Sequence, residues 1–135
     1  MATREPPRIV VINDNPEFLE LMADILDDDA GYEVTLLDGQ RCSISDIADA
    51  RPELVIIDLL LGGASGWEIA TLARADDRLA DVPIVVCSAD VAALRDRADE
   101  LERIGNVHVL AKPFGIDELT DVVVRLVGKP HAVTG

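Results

Sequence analysis

A chain of 135 residues, 49% of them hydrophobic, has the length of one domain and enough apolar content to close a core without metal or disulfide staples. Its 26 acidic residues outnumber 12 Lys and Arg, for a net charge of −14. That field repels phosphate backbones and anionic lipid, which disfavours direct binding to nucleic acid or membrane.

Residues 1–7 include Arg4, Glu5, Pro6 and Pro7 where a secretory signal needs an apolar stretch, so they read as a loose tail of a cytoplasmic protein. A first strand is predicted over Arg8–Ile12, followed by Asn13-Asp14-Asn15. Phe18, Leu21, Met22, Ile25 and Leu26 then recur at helical spacing, with Asn15 as cap, Pro16 in the first turn, and Glu17 and Glu20 near the positive end. Tyr32–Leu37, interrupted by Glu33 and Thr35, reads as an edge strand. A weak helix near Ile44–Ala50 leads to a third strand, Leu54–Ile57, which ends at Asp58. Helix Gly66–Ala75, strand Pro83–Cys87 with Ser88 after it, and helix Val91–Ile104 follow. The fifth strand, Val107–Ala111, runs into Lys112-Pro113, and Leu119, Val122, Val123, Leu126 and Val127 mark a last helix before a loose tail at 129–135.

Short β-branched runs alternating with helices predict an α/β fold, (βα)5, with a parallel sheet covered on both faces. One domain spans 8–128, and four of its strands are apolar enough to be buried on both sides. No apolar run reaches the roughly eighteen residues of a membrane span. Cys42 and Cys87 lack metal or redox spacing, and Cys87 sits in an apolar run as a buried small hydrophobe. His108 and His131 have no partner at a metal-like spacing and carry no assigned chemistry.

Ligands of open parallel sheets bind outside the C-terminal strand ends, and the informative polar residues fall there. Asp58 closes an apolar strand and needs a cation, a proton or exposure, because an unpaired buried carboxylate costs several kcal/mol. Asp14 could join it around a hard divalent cation such as Mg²⁺, Ser88 offers a hydroxyl, and Lys112 a point charge. A carboxylate nucleophile, a metal carboxylate, a hydroxyl and a lysine together make a phosphoryl-transfer site.

The chain from about Arg8 to Gly128 resembles the receiver domains of two-component response regulators. The resemblance rests on Asn13-Asp14-Asn15-Pro16, Pro52-Glu53-Leu54-Val55-Ile56-Ile57-Asp58, Gly66, Pro83-Ile84-Val85-Val86-Cys87-Ser88-Ala89 and Ala111-Lys112-Pro113-Phe114, in order and with their spacing intact. It implies a three-layer doubly wound sheet of flavodoxin-like order 2-1-3-4-5. Asp58 would take a phosphoryl group from a histidine kinase or phosphotransfer protein. Asp14, Asp58 and the backbone carbonyl of Leu60 would ligate Mg²⁺, Ser88 would meet the phosphoryl oxygen, and Lys112 would pair with Asp58. The domain would signal by protein–protein contact with an output protein through the face of the fourth helix, fifth strand and last helix, and would assist its own phosphorylation and dephosphorylation without being an enzyme in its own right.

Three departures qualify the match. Asn13 stands where the family has an acidic residue, which predicts weaker Mg²⁺ binding, with the amide touching the ion directly or through water. Val109 replaces the usual aromatic switch residue. Gly62-Gly63 replaces a proline turn, with Ser65 and Trp67 beyond it. The alternatives are a pseudo-receiver that works without phosphate and a small phosphatase using Asp58. Against the phosphatase, Leu60 stands where an acid–base Asp would be needed.

Overall fold

The computed structural model describes residues 7–29, 31–39, 43–58, 66–88, 91–96, 98–111 and 115–128. Five strands, β1 (Arg8–Asn13), β2 (Glu33–Asp38), β3 (Leu54–Asp58), β4 (Ile84–Ser88) and β5 (Val107–Ala111), pair in parallel in the order β2-β1-β3-β4-β5. The expected flavodoxin-like order is therefore present, and β2 lies at an edge as its interleaved polar residues imply. The helices are α1 (Pro16–Ala23), α2 (Ile44–Asp49), α3 (Gly66–Ala75), α4 in two stretches (Val91–Asp96 and Ala98–Ile104), and α5 (Ile116–Val127).

Because strand side chains alternate faces, the three central strands split their apolar residues between two cores. Val10, Ile12, Val55, Ile57, Ile84 and Val86 face one way, with Ile47 of α2 and Ile69, Ala70 and Ala73 of α3. Ile9, Val11, Leu54, Ile56, Val85 and Cys87 face the other, with Met22 of α1 and Leu119 and Val123 of α5. Cys87 is buried, as expected of a small hydrophobe.

Asn15 caps α1: its Oδ1 accepts the backbone N–H groups of Glu17 and Phe18 at 2.9 and 3.4 Å. Two expectations need correction. Leu21, placed on the apolar stripe of α1, is 53% exposed. The stripe centres on Met22, one residue is a rotation of about 100°, and Leu19 on the other side is partly buried instead. The backbone also continues from Asp24 to Asp29 as a π-helical turn, which shifts the phase of the stripe at Ile25 and Leu26. The second correction is β5, expected to be covered on both faces. It forms the sheet edge beside β4, and Leu110 is its one buried residue, with Val109 44% exposed.

Long-range polar contacts fasten the periphery. The Tyr32 hydroxyl donates to the Gly128 carbonyl at 2.7 Å, tying the start of β2 to the end of α5. Arg74 of α3 donates from Nη1 to the carbonyls of Leu79, Ala80 and Val82 and from Nη2 to that of Asn106. It thereby gathers the α3–β4 connection and the turn before β5, where Gly105 and Asn106 both have positive φ. Among the described residues, no helix is long and apolar enough to cross a membrane.

Candidate functional site

Parallel pairing brings the C-terminal ends of β1, β3, β4 and β5 to one edge. Ile12 is level with Ile57, Asp58 with Cys87, and Ser88 with Ala111. One residue past the first of these pairs, Asn13 and Asp58 lie side by side on the sheet face that carries α1 and α5, since they share the alternation of Val11 and Ile56.

Asp58 is the one residue of β3 that is not buried. Four apolar residues anchor the strand, and the carboxylate emerges at its tip, half-buried. Asn13 is only 2% exposed. Its Nδ2 donates to Asp58 Oδ2 at 3.1 Å, and its Oδ1 accepts the backbone N–H of Asn15 at 2.8 Å. Asp14, next along the chain, has an exposed side chain. Ser88, 1% exposed, closes β4 on the neighbouring strand. Four of the polar residues singled out in the sequence, Asn13, Asp14, Asp58 and Ser88, thus gather at one sheet edge. Lys112, the Leu60 carbonyl, Pro113, Phe114, Gly62-Gly63, Ser65, Cys42, His131 and the side chain of Trp67 lie outside the described residues. His108 is exposed on β5, with Nε2 3.2 Å from Asn106 Oδ1, well removed in role from the strand-end group.

The donor set has the chemistry of a hard-cation site. Asp14 and Asp58 offer carboxylate oxygens at a solvent-accessible edge, and among the described residues no cluster of three or more His, Cys, Asp or Glu is arranged to hold a metal. Mg²⁺ suits such a place, because it keeps several waters and is held by one or two carboxylates. The two carboxylates present have donor chemistry that fits Mg²⁺.

The donor role of Asn13 toward Asp58 was not legible in the sequence, which presents Asn13 as a weakened metal ligand. Its alternation with Asp58 was the available signal: residues on one face at paired strand ends meet each other as well as any ligand.

A five-stranded parallel sheet in the order β2-β1-β3-β4-β5, with a carboxylate at the tip of its central strand, belongs to the class of flavodoxin-like α/β domains. Within that class, residues 9–124 match the response regulator receiver domain family, and the chain belongs to it. It is 33% identical over 113 residues to the transcriptional regulatory protein BaeR of Escherichia coli, covering 84% of this chain and 45% of that protein. The chain spans about half the length of the curated relatives it matches first. Among solved structures, chemotaxis protein CheY4 of Vibrio cholerae superposes with a TM-score of 0.80 at 22% identity, over 90% of this chain and 99% of CheY4. The receiver domain of sensor histidine kinase PA1611 from Pseudomonas aeruginosa, solved with magnesium coordinated in its active-site cleft, gives 0.76 at 27% identity, over 92% and 99%.

Proposed function

We propose that this domain, over 8–128, is a phosphoacceptor that takes a phosphoryl group on Asp58 from the phosphohistidine of a histidine kinase or phosphotransfer protein, and signals by binding a partner. The observation that carries this reading is the half-exposed Asp58 carboxylate at the tip of an otherwise buried strand, oriented by a hydrogen bond from Asn13.

An Asp58 carboxylate oxygen attacks phosphorus, a P–O bond forms, the P–N bond of the phosphohistidine breaks, and the imidazole leaves with the bonding electron pair and is protonated. Buried strand residues Leu54–Ile57 fix the nucleophile in place, so little freedom is lost on approach. Ser88, on the adjacent strand end, supplies a hydroxyl toward the transferred group, and Lys112 supplies a cation for its charge. Asp14 and Asp58, with the Leu60 carbonyl, would hold Mg²⁺. When bound, Mg²⁺ neutralises charge on the phosphoryl oxygens. The exposed apolar side chains Val109 and Ile116 favour the α4–β5–α5 face as the output contact. Lacking an aromatic ring at Val109, that face responds through backbone and helix movement.

Incubation with acetyl phosphate and Mg²⁺ tests the reading. Intact mass should rise by one phosphoryl group in the wild-type protein and not in Asp58→Asn. An unlabelled wild-type protein overturns it in favour of a receiver that works without phosphate.

A further inference from the structure

The direction of the hydrogen bonds around Asn13 bears on how the site admits its cation. The backbone N–H of Asn15 is only a donor, so the atom of the Asn13 amide facing it, at 2.8 Å, is the oxygen. The NH₂ group is thereby turned to Asp58 Oδ2, at 3.1 Å. Asn15 is in turn held by its own side chain, which accepts the N–H groups of Glu17 and Phe18 at the start of α1. Asn13 is 2% exposed, so water has little access to replace either bond.

We propose that Asn13 is a positioning residue that occupies Asp58 as a hydrogen-bond donor in the metal-free protein and competes with the divalent cation for that carboxylate, in place of serving as a ligand. This deepens the reading of Asp14 and Asp58 as the cation-holding carboxylates and rests on it. A cation approaching Asp58 Oδ2 meets amide hydrogens that carry partial positive charge. To set Oδ1 in place of the NH₂ beside Asp58 Oδ2, the amide would have to turn over, which sets its NH₂ against the Asn15 N–H, donor against donor, in a buried place. A buried donor left without an acceptor is costly. A carboxylate at position 13 would behave in the opposite way, repelling Asp58 without metal and drawing the cation in. Asn13 thus removes repulsion from the metal-free fold and weakens the hold on the cation, two effects of one side chain.

The test is the sign of a mutational effect, read by calorimetric Mg²⁺ titration of the full chain at constant ionic strength. Asn13→Ala removes the donor without adding charge and should tighten Mg²⁺ binding about three- to tenfold. Asn13→Asp should tighten it further, and should melt below wild type without metal and recover when Mg²⁺ is added. In the wild-type protein the ¹H–¹⁵N signals of the Asn13 side-chain amide should move on saturation with Mg²⁺. Weaker or unchanged binding in Asn13→Ala overturns the proposal, as do amide signals that stay still, a readout that needs no variant to fold. Absence of Mg²⁺ binding in wild type and both variants would remove the carboxylate site itself. Acetyl phosphate labelling of Asp58, read separately on the wild-type chain, judges the phosphoacceptor reading whichever way the titration falls.

Discussion

Tyr32 shows how one polar atom ties together distant parts of the chain. Its ring is buried in the α1–α5 core, and its hydroxyl donates to the carbonyl of Gly128, the residue that ends α5 with φ of 80°. Burial pushes the Tyr32 hydroxyl above its ordinary value of 10.0, because the phenolate is the form that loses solvation. A group whose folded-state pKa is raised contributes its full stability below the unfolded value and loses it as pH climbs through the folded one. The wild-type protein should therefore lose stability above pH about 10. Tyr32→Phe should be less stable at neutral pH by about 1 kcal/mol, the usual worth of one hydrogen bond, and should show a shallower alkaline loss. Chemical denaturation between pH 7 and 11 measures both. Nothing in the sequence pointed to this pair, since the two residues lie 96 positions apart. Asp58 and Ser88, by contrast, were visible in the sequence as polar residues ending otherwise apolar strands.

At the scale of elements, α1 is held at its start by Asn15 and along its length by burial of Met22. The cap and the site share a residue: Asn15 accepts from α1 through its side chain and donates to Asn13 through its backbone. Asn15→Ala should cost about 1 kcal/mol of stability through the lost cap. Its backbone N–H remains, so the Asn13–Asp58 bond should survive and Mg²⁺ affinity should change little. Thermal unfolding with a parallel Mg²⁺ titration checks this; a large affinity change would mean that the cap, and not the backbone, sets the amide's orientation. The cap, the proline after it and the apolar strands were all readable in the sequence because each is a local rule. Leu21 and β5 were misread for a shared reason. Helical spacing tells which residues line up but not where the stripe is centred, and an apolar strand such as Val107–Ala111 does not announce that it ends a sheet with β4 as its one neighbour.

For the whole molecule, a charge of −14 acts on every charged site at once. With acidic residues outnumbering basic ones about two to one, the folded chain concentrates like charge, and part of its instability is self-repulsion. Salt with a Debye length near 10 Å at 0.1 M screens this repulsion between exposed groups. The melting temperature should therefore rise by a few degrees between roughly 0.01 and 0.3 M NaCl, equivalent to about 1 kcal/mol. Mg²⁺ would give part of the same effect by screening alone, so the site's own contribution has to appear at fixed ionic strength. There, Mg²⁺ should raise the melting temperature of the wild-type protein more than that of Asp58→Asn, while NaCl should raise both alike. Differential scanning calorimetry of the two proteins over the two titrations separates the terms. If Mg²⁺ stabilised both proteins equally at constant ionic strength, the acidity would be acting only as a solvated surface; a larger rise in the wild type assigns the excess to the strand-end carboxylates, whose mutual repulsion one bound divalent cation would relieve.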